Sequence, residues 1–395
     1  MQLRDELTTQ NFRETTGDDA GGQANGGRGK LALVPNEGDG PPLLRLACRD
    51  SERRAGGEQE MLARISDALT TAGYGFSRAL VVTYYVSLKT NPFVILTGAA
   101  GRGKTEFVRL FAEALVGRDS AQYALISGGA AWPSGTGEDS YYRSLQEHFS
   151  SLRFLDLLQE AASPGNIGKL YLVCFDALHP SELEYYFATL LRVTPEGEKR
   201  LNLPGFPGDR QPVVPPNVCI TATVNIAEQS YTLSHKVLRH AGLIEFRAPA
   251  GPRAVVEPCP WKLPPPVGYQ RLWLRAALRE VVAARARLAD ILGSDRLGRL
   301  RSSPELARLL WRGGVVLTTQ TLHELTTYIA NSFDEHGRGL FDPHDPWRNA
   351  HVAFDAQVVQ RVLWRLRDSD DGELRRDLAD YLDRIALTTG QQAVA

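Results

Sequence analysis

Phe93-Val94-Ile95-Leu96-Thr97-Gly98-Ala99-Ala100-Gly101-Arg102-Gly103-Lys104-Thr105 decides the fold. Its first four residues are a short apolar run, preceded by Asn91-Pro92 and followed by a glycine-rich turn. That length and those flanks predict a buried strand. Gly98 to Thr105 fits the pattern GxxxxGK[ST], and TEFVRLFAEALVG continues with helical spacing. Glycines let such a loop wrap a phosphate and aim N–H groups inward, and the helix behind it offers its positive dipole end to the anion. Gly98, Ala99, Ala100, Gly101, Arg102, Gly103, Lys104, Thr105 and Glu106 are therefore the candidate nucleotide-binding residues. In this pattern Lys104 bridges the β- and γ-phosphates and Thr105 ligates Mg²⁺. Arg102 departs from the small or polar residue common at its position. It either touches a phosphate or a neighbouring subunit, or stays solvated.

Outward from the loop the sequence alternates. Strand-like YALIS, LYLVCF, VCITATV and LIEF are separated by helix-like YRSLQEHFSSLRFLDLLQEA and SELEYYFATLL. Strands alternating with helices predict a parallel sheet covered on both faces. Upstream, MLARISDALTTAGY and ALVVTYYVSL carry helical spacing. Leu170 to Phe175 is a second apolar strand, and it ends in the carboxylate of Asp176, the expected metal-side partner of Thr105.

The flanks read differently. Residues 1–57 contain TTGDDAGGQANGGRGK, which has no apolar period and buries too little to offset its ordering entropy, so a disordered or weakly ordered tail is expected. Residues 58–250 are the expected α/β core. Residues 251–270 hold GPRAVVEPCPWKLPPPVG, too rich in proline for a helix interior or central strand, and read as a linker. Residues 271–395 read as an all-α subdomain. Between Arg271 and Arg312, ten arginines face four acidic residues, a locally basic stretch that is either a nucleic-acid or partner face or a solvated helix surface.

Composition sets outer limits. The 395 residues carry 45 basic and 46 acidic side chains, which excludes a uniformly basic nucleic-acid binder. Cys48, Cys174, Cys219 and Cys259 form no CxxC pair, so reduced thiols in a cytoplasm are expected rather than a zinc cluster or disulfide framework. No apolar run approaches about 18 residues, so no membrane span is expected. The N-terminus has no apolar h-region and does not read as a secretory leader. The histidines form no HExxH pair, and no nuclease spacing is present.

Three blocks together resemble the AAA+ module of the McrB-type family, the NTP-driven motor of modification-dependent restriction. Ser87 to Leu96, SLKTNPFVIL, leads into the phosphate loop as "LKTKPFVIL" does there. Asp176 to Phe187, DALHPSELEYYF, aligns without gaps to a "DEMNLARVEYYF"-like block. Val214 to Phe246, VPPNVCITATVNIAEQSYTLSHKVLRHAGLIEF, follows that family's "GTvNvD…KVlDRAnviEF" pattern. The likeness covers roughly residues 75 to 250. It implies a phosphate-loop core with a five-stranded parallel sheet, a C-terminal helical lid, ATP or GTP with Mg²⁺ as ligands, and a ring of subunits, hexameric in that family. Asp176 keeps the metal-side carboxylate and Asn225 fits the sensor position near the γ-phosphate.

Other positions of the family pattern have lost their chemistry. The Glu that polarises the attacking water is Ala177, and a methyl group can neither accept a proton nor orient water. The Asn after it is His179, the acid of "NvD" is Ala227, and the Asp-Arg pair that carries the arginine finger reads Arg239-His240. A lid arginine of the family falls near Gln320. An arginine finger is worth about 10³–10⁵ in rate, and a water-positioning carboxylate on the order of 10²–10⁴. Losing both predicts binding with little hydrolysis, unless Arg239 stands in for the finger and Glu182 or Glu184 for the carboxylate. Two readings follow. One is a nucleotide-gated switch or scaffold that assembles with itself or a related AAA+ subunit and recruits an effector such as a nuclease. The other is a working motor NTPase of a defence system, with a MoxR-like remodelling chaperone as a third.

Overall fold

A computed structural model of the chain describes residues 57–72, 74–127, 154–178, 191–193, 199–201, 212–225, 237, 241–246, 267–294, 304–314, 319–361 and most of 371–381. The tail expected over 1–57 falls almost wholly outside them, as do the helix-like SELEYYFATLL up to its last residue and most of the proline-rich linker.

The elements follow the alternation read from the sequence. Helices α1 (Glu58–Thr71) and α2 (Arg78–Thr90) precede strand β1 (Phe93–Gly98), and α3 (Lys104–Val116) follows it. Next come β2 (Tyr123–Ser127), α4 (Phe154–Ala162), β3 (Tyr171–Leu178), a short ribbon of β4 (Leu191–Val193) and β5 (Lys199–Leu201), β6 (Val218–Asn225) and β7 (Gly242–Glu245). The C-terminal helices are α5 (Val267–Ala276), α6 (Val281–Leu292), α7 (Pro304–Arg312), α8 (Thr319–Asn331) and α9 (Pro346–Arg361).

Five strands form one sheet in the order β2-β3-β6-β1-β7, and every pairing in it is parallel. Strand β1 lies inside the sheet, paired to β6 on one side and β7 on the other. The apolar runs read as strands are buried because both faces are covered. Successive side chains of β1 go to opposite faces. Val94 and Leu96 join one apolar cluster with Leu172, Cys174, Cys219 and Ile244. Phe93 and Ile95 join another with Tyr171, Val173, Phe175 and Ile220, closed by Phe154, Leu157 and Leu158 of α4.

The first cluster does not stop at the helices next to the sheet. It runs from Met61, Leu62 and Ile65 of α1 and Tyr84 and Tyr85 of α2 into Trp273 of α5, Leu288 of α6, Tyr328 of α8 and Ala350 of α9. The helices on either side of the sheet sequence thus share one apolar interior. Polar groups pin the junction. Glu58 and Lys89 form an ion pair at 2.6 Å with both side chains fully buried, and the Tyr85 hydroxyl also donates to Glu58. Lys89 donates again to the carbonyl of Asn331 at 3.2 Å.

Local chemistry sets the element ends. Ser77 caps α2 by accepting the Leu80 N–H. Pro346 opens α9 behind Asp345, whose carboxylate accepts from Trp347 N and Arg348 N. Helix α5 begins at Val267, directly after Pro266, inside the stretch read as linker. The run RLWLRAALREVVAARARLADIL, which reads as one helix, is broken over 277–280. There the buried Asn331 amide donates to Leu278 O and accepts from Leu278 N, both at 2.8 Å. That pair replaces the helical hydrogen bonds that Leu278 gives up.

No helix among the described residues is long and apolar enough to cross a membrane. Cys174 and Cys219 are buried and form no disulfide.

Candidate nucleotide site

The sheet register builds the site. Gly98, the last residue of β1, is the in-register partner of Asn225, the last residue of β6. The chain leaves the sheet there through Gly98, Gly101 and Gly103, with φ of 140°, 72° and 87°. At Gly98 a Cβ would sit 2.5 Å from the carbonyl oxygen of Phe246, which itself donates its N–H to Thr97 O. Only glycine fits so close to another backbone at that φ. Gly103 then caps α3, and Lys104 is the helix's first residue.

Lys104 is 5% exposed, and its ammonium points back under the loop. It donates to Gly98 O at 2.9 Å, Ala99 O at 2.8 Å and the Asn225 Oδ1 at 2.8 Å. These account for the three protons of an ammonium. Burial holds Lys104 below the usual lysine range, opposed in part by the Asp176 carboxylate. One residue along, the Thr105 hydroxyl donates to Asp176 Oδ1. The sequence-predicted Thr105, Asp176, Lys104 and Asn225 therefore converge on one end of the sheet.

The remaining candidates divide. Ala99, Ala100, Gly101 and Arg102 are exposed at the loop's outer edge. Glu106 lies in the first turn of α3, but its carboxylate receives the Arg109 guanidinium, which also bridges Glu113. Gln320 is exposed on α8, 3.4 Å from Glu324. Arg239 lies outside the described residues, as do His179, Glu182, Glu184, Ala227 and His240. In the arginine-rich stretch, Arg279 donates to Pro216 O, Arg287 to Asp334 O, Arg275 pairs with Glu335, and Arg312 pairs with Asp371, Glu373 and Asp377.

The residue after Asp176 is unusual in its backbone. Ala177 is exposed, and its φ of 51° lies in the left-handed region. Two further features escaped the sequence reading. Thr223 of β6 contacts both Asp176 and Ala177. Beside Gly103, Phe76 and Tyr74 stack with ring planes 1° apart, and Phe76 packs edge-on against Phe107 and Phe246. The aromatic pair in Tyr74-Gly75-Phe76, set between two amphipathic helices, is a legible signal for the second feature.

Could these residues hold a phosphate and Mg²⁺? The loop's glycines, the start of α3 and the inward ammonium suit a phosphate. A hydroxyl beside a carboxylate is the hard oxygen pair that Mg²⁺ takes, with water and phosphate completing its shell. No group of three or more His, Cys, Asp or Glu among the described residues is placed to cage a metal alone. The residues fit a metal shared with a phosphate. Fold and site together are consistent with a phosphate-loop α/β core.

No family model matches the chain, and no curated protein matches it. Among solved structures, the "SCCmec type IV Cch - active helicase" aligns with 87% of this chain and 51% of its own, at 10% identity and a TM-score of 0.26. The chain thus spans about half the length of that protein, and a likeness so slight carries no argument about activity.

Proposed function

We propose that the chain binds ATP or GTP with Mg²⁺ at Gly98–Thr105 and works as a nucleotide-gated switch or scaffold with impaired hydrolysis, of the McrB-like AAA+ kind. In this reading Lys104 holds the β- and γ-phosphates, Thr105 and Asp176 hold the metal, and Asn225 faces the γ-phosphate. The helical region after residue 270 serves as a lid, and assembly with a second copy or a related AAA+ subunit recruits an effector, in defence or DNA processing.

One observation carries the reading. Loop lysine, hydroxyl, carboxylate and sensor amide converge, yet the position after Asp176 presents only the exposed methyl of Ala177. The groups that would bind are present, and the group that would orient a water is a methyl.

The test is steady-state hydrolysis of ATP and GTP beside fluorescent-nucleotide binding, for the full chain and for Lys104→Ala. Binding that is lost in Lys104→Ala, with turnover at background, is the expected result. Turnover at an ordinary AAA+ rate that disappears in Lys104→Ala would overturn the switch and favour a working motor, with Arg239 the next residue to replace.

A further inference from the structure

Strands β3 and β6 pair in step from Tyr171 opposite Val218 to Phe175 opposite Ala222. They then slip, so that Leu178 faces Val224. Between those points Asp176 and Ala177 lie opposite the single residue Thr223, which is a β-bulge. The extra residue is absorbed by the left-handed turn at Ala177. Bulges re-aim side chains, and here the re-aimed side chain is the carboxylate of Asp176.

Thr223 holds both halves of the slip. Its Oγ1 accepts the Ala177 N–H at 2.8 Å and donates to Asp176 Oδ1 at 2.7 Å. One hydroxyl can do both, having one proton and two lone pairs. Thr223 is 1% exposed, so water is poorly placed to replace either bond. Asp176 Oδ1 thereby receives two hydroxyls, Thr223 from the sheet and Thr105 from the loop helix. Oδ2 has no hydrogen bond among the described residues.

The geometry points to Thr223 as the positioning residue of the metal side of this site. Its hydroxyl fixes the bulge and the Asp176 rotamer, leaving Oδ2 to face the ion or a water on it. This rests on the proposal that the loop binds a Mg²⁺–nucleotide. Removing such outer partners of a metal ligand typically costs 10–100-fold in metal affinity.

The experiment titrates MgCl2 against mant-ATP and mant-GTP binding, with an EDTA arm, for the full chain and for Thr223→Val, Thr223→Ser and Lys104→Ala. Thr223→Val should raise the Mg²⁺ concentration for half-maximal tightening by about tenfold or more. Binding in EDTA should stay within about twofold, since a positioning role acts through the ion alone. Thr223→Ser, which keeps the hydroxyl, should restore most of the loss. An unmoved Mg²⁺ midpoint in Thr223→Val overturns the inference, as does equal weakening with and without Mg²⁺. If Thr223→Val does not fold, Thr223→Val and Thr223→Ser are compared in an Ala177→Gly background, where glycine relieves the left-handed residue. Failures are separable. Binding unaffected by Lys104→Ala overturns the nucleotide reading and this inference with it. Lys104-dependent binding with an unmoved midpoint overturns only the role of Thr223.

Discussion

Lys104 and Asn225 lie 121 residues apart in the chain and 2.8 Å apart in space, joined by a hydrogen bond from the ammonium to the amide oxygen. The bond ties the end of β6 to the start of α3. It also means that a phosphate approaching Lys104 meets Asn225. Asn225→Asp would place a carboxylate where the amide now accepts. It would hold Lys104 more strongly and repel an incoming phosphate. The expected outcome is a loss of nucleotide affinity of about 10–100-fold, the range of one charge-assisted hydrogen bond. Melting temperature should not fall. Fluorescent-nucleotide titration and a thermal melt check the two halves.

Ala177 carries a conformational cost. A non-glycine residue in the left-handed region costs roughly 1–2 kcal/mol. Glycine removes that cost and adds roughly 0.5–1 kcal/mol of unfolded-state entropy. Ala177→Gly should therefore stabilise the chain by up to about 1.5 kcal/mol. Chemical denaturation measures this.

The buried Glu58–Lys89 pair predicts a coupling. Lys89→Met leaves Glu58 without its cation in an apolar interior, still holding the Tyr85 hydroxyl. Breaking one side of such a pair costs about 3–5 kcal/mol. Glu58→Gln/Lys89→Met removes both charges and keeps an acceptor for Tyr85. The double variant should be more stable than Lys89→Met alone, read from urea midpoints.

Asp355 on α9 predicts a pH dependence. Burial pushes its carboxyl up to about 7. An unfolded aspartate titrates near 4, so between about pH 4 and 7 the unfolded chain releases this proton before the folded chain does. Stability from this residue is therefore undiminished below about pH 4, falls as pH rises through the window, and is lowest above about 7. Asp355→Asn should stabilise the chain at pH 8 by on the order of 2 kcal/mol and make little difference at pH 4. Denaturation at the two pH values tests it.

The parts legible in the sequence are those written in local chemistry. Phe93 to Thr105 carries its own strand, turn and helix signals, and β2, β3, β6 and β7 are apolar runs of strand length. Spacing and resemblance single out Lys104, Thr105, Asp176 and Asn225 as candidates, and the structure brings their side chains together. What escaped depends on distant partners. Nothing in LYLVCFDAL announces that β3 slips against β6 at Thr223, because a bulge belongs to a pair of strands. The helical spacing of SELEYYFATLL runs through Leu191, yet Leu191 begins a strand because Leu201 pairs with it. The break between α5 and α6 depends on Asn331, 53 residues beyond Leu278. The Glu58–Lys89 pair is invisible until α1 and α2 pack.

The apolar cluster that runs from α1 and α2 into α8 and α9 has a consequence for synthesis. Thr90 of α2 finds its Asn331 partner 241 residues later in the chain. On a ribosome, α2 and the phosphate loop emerge long before the helices that supply Trp273 against Tyr85 and the Asn331 carbonyl against Lys89. The nascent chain must carry that apolar surface uncovered until α8 and α9 follow, the period when chaperones have most to grip and aggregation most to gain. A fragment ending at residue 250 would remain permanently at that stage.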